Sequence, residues 1–213
     1  MSSPKMTATS GSGFIQFEFD ERLLKVIEDA LGVLKSESRK VLKNAVNKTA
    51  KQAKADLAQK AQKTYVVKKT RFTKAMTDKR KATVANPEAV IEVTGEQLEL
   101  KDFKVSPATM RGKNRPNVVK AKVLLSSGLK PLTANTKAFL VTFQNTSKSG
   151  KSSSHTTVAQ RYGKSRYPIK KLLSNSIPKM VGSQERVYGI VEPDIYDNLM
   201  ANVQAEIRKV LKA

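Results

Sequence analysis

Cysteine and tryptophan are absent from this 213-residue sequence, and histidine occurs once, at His155. Without cysteine there can be no disulfide, no thiolate metal site and no cysteine nucleophile. A single histidine cannot build a histidine metal cluster by itself, so no metal or other cofactor is expected. No apolar run approaches the ~18 residues that a membrane-spanning helix needs. Met1 to Gly13 is small and polar and lacks the apolar stretch of a secretory signal, so a cytoplasm is the expected compartment and no membrane partner is implied. Aromatic residues make up only 6% and apolar residues 39%. The core must therefore rest on Val, Leu, Ile and Ala. A core this thin gains from surface buried against neighbouring subunits.

Acids are scarce too. Eighteen Asp and Glu face forty Lys and Arg, a formal charge of +22. Such an excess attracts nucleic acid, acidic protein surfaces or anionic lipid. Its distribution is more telling than its size. From Arg39 to Lys81 there are fifteen basic residues and two acids, Asp56 and Asp78. From Pro107 to Gln184 there are fifteen basic residues and no acid. The remaining acids lie in Glu18–Glu37, Glu88–Asp102 and Glu185–Glu206. Complementary zones of this kind suit head-to-tail contacts between subunits.

Periodicity sets the expected elements. Met1–Gly13 reads as a disordered arm, and residues 14–213 as a single α+β domain. Phe14–Phe19 alternates as a short strand. Asp20 can cap a helix whose face is Leu23, Leu24, Ile27, Leu31 and Leu34. A longer helix follows, with Val41, Leu42, Ala45, Val46, Ala50, Ala53, Leu57 and Ala61 inward and Lys43, Lys51, Lys54 and Lys60 outward. Tyr65–Val67 breaks it, and a short helix is expected over Lys69–Lys79. After Asn86-Pro87 the period changes to two, through Ala89–Thr94, Leu98–Val105, Val118–Leu125, Ala138–Phe143 and His155–Tyr162. Residues 145–154 form a Ser/Lys/Gly loop. Residues 163–182 read as an extended arm anchored by Pro168 and Pro178. Asp194 can cap a last helix, Ile195–Leu211, with Ile195, Leu199, Val203, Ile207 and Val210 on its buried face. The expected architecture is long N-terminal helices packed on an antiparallel β-sheet, with a C-terminal helix.

No constellation supports catalysis, and an enzyme is not expected. Glu88 and Glu92 share one strand face but have no neighbouring base, nucleophile or metal ligand, so they read as a solvated face. His155 follows Ser152–Ser154, yet the nearest acids in sequence, Asp102 and Glu185, are distant, and a triad needs a positioned third group. Gly163-Lys164-Ser165 is not a phosphate loop, because Val158 stands where the upstream glycine belongs. What remains are contact residues. Lys51, Lys54, Lys68, Lys69, Arg71, Lys164, Lys170 and Lys171 are candidates for contact with DNA or an acidic partner. Tyr162 and Tyr167, interleaved with Arg161, Lys164 and Arg166, could stack on a single strand.

Two ordered motifs go further. The first is Arg161, Gly163, Lys164, Arg166, Tyr167, Pro168 and Ile169, followed by Ser176, Ile177 and Pro178. The second is Lys79-Arg80-Lys81-Ala82-Thr83, then Asn86-Pro87, then Ala89-Val90-Ile91. From about Val41 to the C-terminus these resemble the prophage minor tail protein Z family of lambda-like phages. The segment before Glu37 is longer than that pattern, and Asn175 replaces its glycine-proline turn entry. The resemblance implies a structural protein that completes the head-proximal end of the tail and helps join tail to head. It implies a homo-oligomer, a hexameric ring around the DNA path, assembled in the host cytoplasm. The implied partners are the tail terminator, the tail tube or head–tail connector proteins, with non-specific contact to phage DNA. Arg161, Gly163, Arg166, Tyr167, Pro168, Ile169, Ile177 and Pro178 would make subunit contacts. The composition alone also fits a non-specific nucleic-acid-binding protein, associated with the ribosome or nucleoid.

Overall fold

A computed structural model describes residues 5–8, 12–17, 21–110, 118–133, 136–146 and 152–212. The chain divides into two compact units. The first comprises Met1–Gln62, Lys68–Glu96 and Ser176–Ala213, and the second Lys63–Val67 and Gln97–Asn175. The fold is α+β, with a long helix early in the chain, another at its C-terminal end and antiparallel sheets, as the periodicity implies.

The first unit holds an antiparallel sheet in the order β1-β2-β4-β3, made of β1 (Lys5–Ala8), β2 (Ser12–Phe17), β3 (Met76–Arg80) and β4 (Ala89–Thr94). Lys5–Ala8 thus pairs with β2, although the sequence suggests a disordered arm over 1–13; the rest of that arm, apart from Ser12 and Gly13, lies outside the described residues. Ile15 and Phe17 of β2 and Ile91 and Val93 of β4 face the core, as period-two alternation requires.

The described α-helices of this unit are α1 (Glu21–Leu31), α2 (Ser38–Thr64, whose last two residues belong to the second unit), α3 (Lys69–Ala75), α4 (Ile177–Val181) and α5 (Tyr188–Leu211). In α1 the buried stripe is Leu23, Ile27 and Leu31. Gly32 then takes φ +55 and starts a 3₁₀ segment, Gly32–Glu37, which leaves Leu34 exposed rather than on the α1 face. All eight apolar positions expected on the long helix are buried in α2. Buried Asn202 of α5 donates its amide to Thr49 Oγ1 at 2.9 Å and to Gln52 Oε1 at 2.7 Å.

Three expectations change here. The short helix ends at Ala75, not Lys79, because Met76–Arg80 pairs with β4 as an edge strand. Sheet hydrogen bonds and the burial of Met76 outweigh the helical preference of Met76, Lys79 and Arg80. Ile177–Pro178 is not extended. It opens α4, whose N-cap Ser176 Oγ accepts from the Lys179 backbone N–H at 3.4 Å. The last helix begins at Tyr188, so Asp194 lies inside it and does not cap it. Pro193 forfeits one helical hydrogen bond, but Tyr188 and Val191 are buried, and that burial holds the extra turns in place.

The second unit contains β5 (Gln97–Glu99), β6 (Lys104–Ser106), β7 (Lys120–Lys122), β8 (Lys130–Pro131), β9 (Phe139–Thr146), β10 (Ser152–Arg161), β11 (Ile169–Lys171) and β12 (Leu173–Ser176, whose last residue belongs to the first unit). They form sheets β11-β10-β9, β6-β7-β8 and β12-β5. Their core joins Leu100, Val105, Val119, Ala121, Ala138, Leu140 and Val158. Leu140 of β9 and Ala138 just before it therefore face inward, while Phe143 on the opposite alternation is exposed. Residues 147–151 of the expected 145–154 loop, and residues 111–117, lie outside the described residues.

Candidate assembly and polyanion-contact surfaces

The first surface is the connection between β10 and β11. These strands pair from Ala159↔Lys171 to Arg161↔Ile169, so residues 162–168 form the end of a hairpin. The Tyr162 backbone N–H donates to the Pro168 carbonyl at 3.4 Å, and the Tyr167–Pro168 bond is cis. Thr136 Oγ1 donates to the Arg161 carbonyl at 2.7 Å and fixes the hairpin base. Both tyrosines are exposed, Tyr162 by 67% and Tyr167 by 65%. Each ring has a cation over it: Lys170 Nζ lies 5.3 Å from the Tyr162 centroid, and the Arg166 guanidinium 5.6 Å from that of Tyr167. Arg161 lies 5.6 Å from the Phe139 ring. Gly163 has an ordinary φ and open space around it, so no tight positive-φ turn requires a glycine there.

Thus six of the eight expected subunit-contact residues, Arg161, Gly163, Arg166, Tyr167, Pro168 and Ile169, share one hairpin, and Lys164 and Lys170 lie on it. The other two of the eight are elsewhere. Ile177 and Pro178 are buried in the first unit. A Cβ built on Gly95 would stand 3.4 Å from Ile177 Cβ and 3.7 Å from Pro178 Cδ, which shows how closely this turn approaches them.

Beside the hairpin, Lys171 Nζ donates to Glu99 Oε1 at 2.9 Å, and His155 Nε2 lies 2.8 Å from Glu99 Oε2. His155 thus has a carboxylate partner, brought from β5 by sheet packing rather than from any neighbour in sequence. Burial works to raise the Glu99 pKa, but the nearby Thr157 hydroxyl, Lys171 and His155 outweigh it and hold the carboxyl at about 2. The Thr157 hydroxyl is buried and makes no well-formed hydrogen bond of its own, so its proximity to the carboxylate is the weaker part of this arrangement.

The second surface lies in the first unit. A cleft of about 450 Å³ opens between α2 and the β3–β4 edge, lined by Asn47, Ala50, Lys51, Lys54, Asp78, Arg80, Lys81, Ala89, Val90 and Ile91. Of the predicted contact residues it holds Lys51 and Lys54. Lys54 is ion-paired with Asp78, and Lys81 Nζ lies 3.9 Å from the same carboxylate. Arg80 reaches Glu88 at 2.7 Å, and Lys79 reaches Glu92 at 3.2 Å. Glu92 of β4 and Glu88, just before that strand, are therefore ion-pair partners of β3. Asn47 braces the cleft by donating to the Ala82 carbonyl and accepting from its N–H, both at 2.9 Å. Sequence reasoning missed Asp78, Arg80 and Lys81 here because it read them on or after a helix. The usable signal was Glu88 and Glu92, which could have been matched with Lys79 and Arg80 across a hairpin. Lys68, Lys69 and Arg71 lie apart from the cleft lining, Lys68 just before α3 and the other two in its first turn, with their side chains exposed.

Among the described residues no three His, Asp or Glu side chains converge as metal ligands would. No described helix is long and apolar enough to cross a membrane. The described residues present two open surfaces, an aromatic–cation hairpin and a basic cleft. A model of the prophage minor tail protein Z family matches residues 24–213, and the chain belongs to that family. It is accordingly a phage tail structural protein and a component of the virion. No curated protein and no solved structure matches the chain.

Proposed function

We propose that this protein completes the head-proximal end of a phage tail and helps join tail to head, acting as a non-enzymatic homo-oligomeric ring around the DNA path. The family match over residues 24–213 carries the reading. The exposed hairpin supports it. Tyr162 and Tyr167 are two large rings held out by paired strands and flanked by cations, a form suited to docking on a neighbouring subunit, the tail terminator, the tail tube or a connector protein. Arg161, Arg166, Pro168 and Ile169 belong to that contact. Ile177 and Pro178 contribute by holding α4 in place from within. Lys68, Lys69, Arg71, Lys164 and Lys170 supply non-specific, salt-sensitive attraction to DNA or to an acidic tail partner.

The test is deletion of the gene from the phage that carries it, followed by electron microscopy of lysates. The expected result is full-length tails and filled heads that remain unjoined, with joining restored by the purified protein. Normal joined particles in the deletion strain would overturn the reading.

A further inference from the structure

The cleft between α2 and the β3–β4 edge has an apolar floor and more positive charge than it neutralises. Ala50, Ala89 and Ile91 line it and are buried. Four cations, Lys51, Lys54, Arg80 and Lys81, meet only Asp78 within it and Glu88 beyond it. Lys51 is exposed and makes no ion pair among the described residues. An occupant that matches this cleft carries carboxylates beside an aliphatic group.

Such a surface exists on the same unit. Ile190, Asp194 and Asp197 recur at i, i+4 and i+7 along α5 and so form one stripe. Ile190 is 46% exposed, and both aspartates are exposed with no ion pair among the described residues. Neither aspartate is in the first turn of α5, where the helix dipole would account for it. The stripe points away from its own core, whose residues on this helix are Val191, Ile195, Leu199 and Val203.

We infer that the Ile190–Asp194–Asp197 stripe of one copy docks on the Lys51–Lys54–Arg80–Lys81 cleft of the next. This rests on the self-assembly reading above and deepens it. The two surfaces differ, so the contact is heterologous. Each copy offers one cleft and one stripe, and the contact propagates until a ring closes. It also places opposite charges together in a chain whose net charge otherwise drives copies apart. Duplex DNA is the less suitable occupant. Phosphates are reached by protruding cations and need no apolar floor, whereas Lys54 is recessed, only 23% exposed at its side chain.

The test uses the full chain in sedimentation velocity over a concentration series, with circular dichroism to confirm folding. Wild-type protein is expected to assemble, more weakly as salt rises. The variants K51E/K81E and D194K/D197K should each assemble at least about tenfold more weakly. Mixed in equal amounts they should regain assembly, because each reversed surface then meets its complement and each unaltered surface meets the other. Loss in both variants with no recovery on mixing overturns the contact. Assembly of both variants at wild-type strength overturns the contact and leaves the self-assembly reading standing. A wild-type chain that stays monomeric at every concentration overturns both. Undiminished assembly of K51E/K81E together with lost binding to duplex DNA assigns the cleft to DNA and also overturns the contact.

Discussion

Asn202 of α5 donates to Thr49 Oγ1 of α2 at 2.9 Å, and Thr49 in turn donates to the Ala45 carbonyl at 2.9 Å. This relay joins helices 153 residues apart in sequence at a position where both side chains are buried. Asn202→Ala removes its donors and leaves Gln52 Oε1 without this partner. The expected cost is about 1–3 kcal/mol in urea unfolding. A double-mutant cycle with Thr49→Ala should give a coupling of roughly 0.5–1.5 kcal/mol. Additive single effects would show that the two side chains do not depend on each other.

The Glu99 cluster predicts an acid-sensitive increment of stability. The folded carboxyl sits at about 2, below its ordinary value of 4.5. A depressed carboxyl stabilises the fold fully above its unfolded pKa, and that stabilisation fades as pH falls through the folded one. Thermal melts of wild type and Glu99→Gln should therefore differ by a constant amount above pH ~5 and converge between roughly pH 4.5 and 2. A gap that persists at low pH would assign the effect to packing.

Three glycines should behave differently when changed to alanine. Gly95 has φ +152 and closely approaches Ile177, so Gly95→Ala should cost on the order of 1–3 kcal/mol. At Gly189 a Cβ would stand 2.3 Å from the Gln184 carbonyl oxygen, so the backbone there must shift and stability should fall. Gly163 faces open space, so Gly163→Ala should melt within about 0.5 kcal/mol of wild type. Chemical denaturation of the three variants checks the ranking. A stable Gly163→Ala that fails in particle assembly would place the glycine at a contact.

The exposed rings of the hairpin give a complementary test. Tyr162→Ala and Tyr167→Ala should leave the melting temperature nearly unchanged, since both side chains are about two-thirds exposed. Each should reduce tail-joining activity in an extract that lacks the native protein. Full activity in the double variant would remove the hairpin from the docking surface.

Long periodic segments were legible without coordinates. The stripe Val41–Ala61 is the buried face of α2, and Ile195, Leu199 and Val203 are buried on α5, because a helix repeats its inward positions locally; Ile207 and Val210, expected on the same face, are only half-buried near the helix end. The alternation in β2 and β4 was legible for the same reason. Met76–Arg80 was not. Its five residues carry no strong period, and only the antiparallel partner β4 makes them a strand. Asp194 reads as the cap of a helix that begins at Ile195, but the burial of Tyr188 and Val191 starts α5 seven residues before that, at Tyr188.

The sequence by itself determined the charge of +22, its segregation into zones, the helical faces and the ordered motifs that mark the family. Each of these depends on neighbours along the chain. Tertiary structure alone decided that Glu99 serves His155, that Ile177 and Pro178 are core, and that Lys51 and Lys54 share a cleft with Arg80 and Lys81. Those pairings join residues from separate elements. They depend on strand register and helix packing, which no local period encodes.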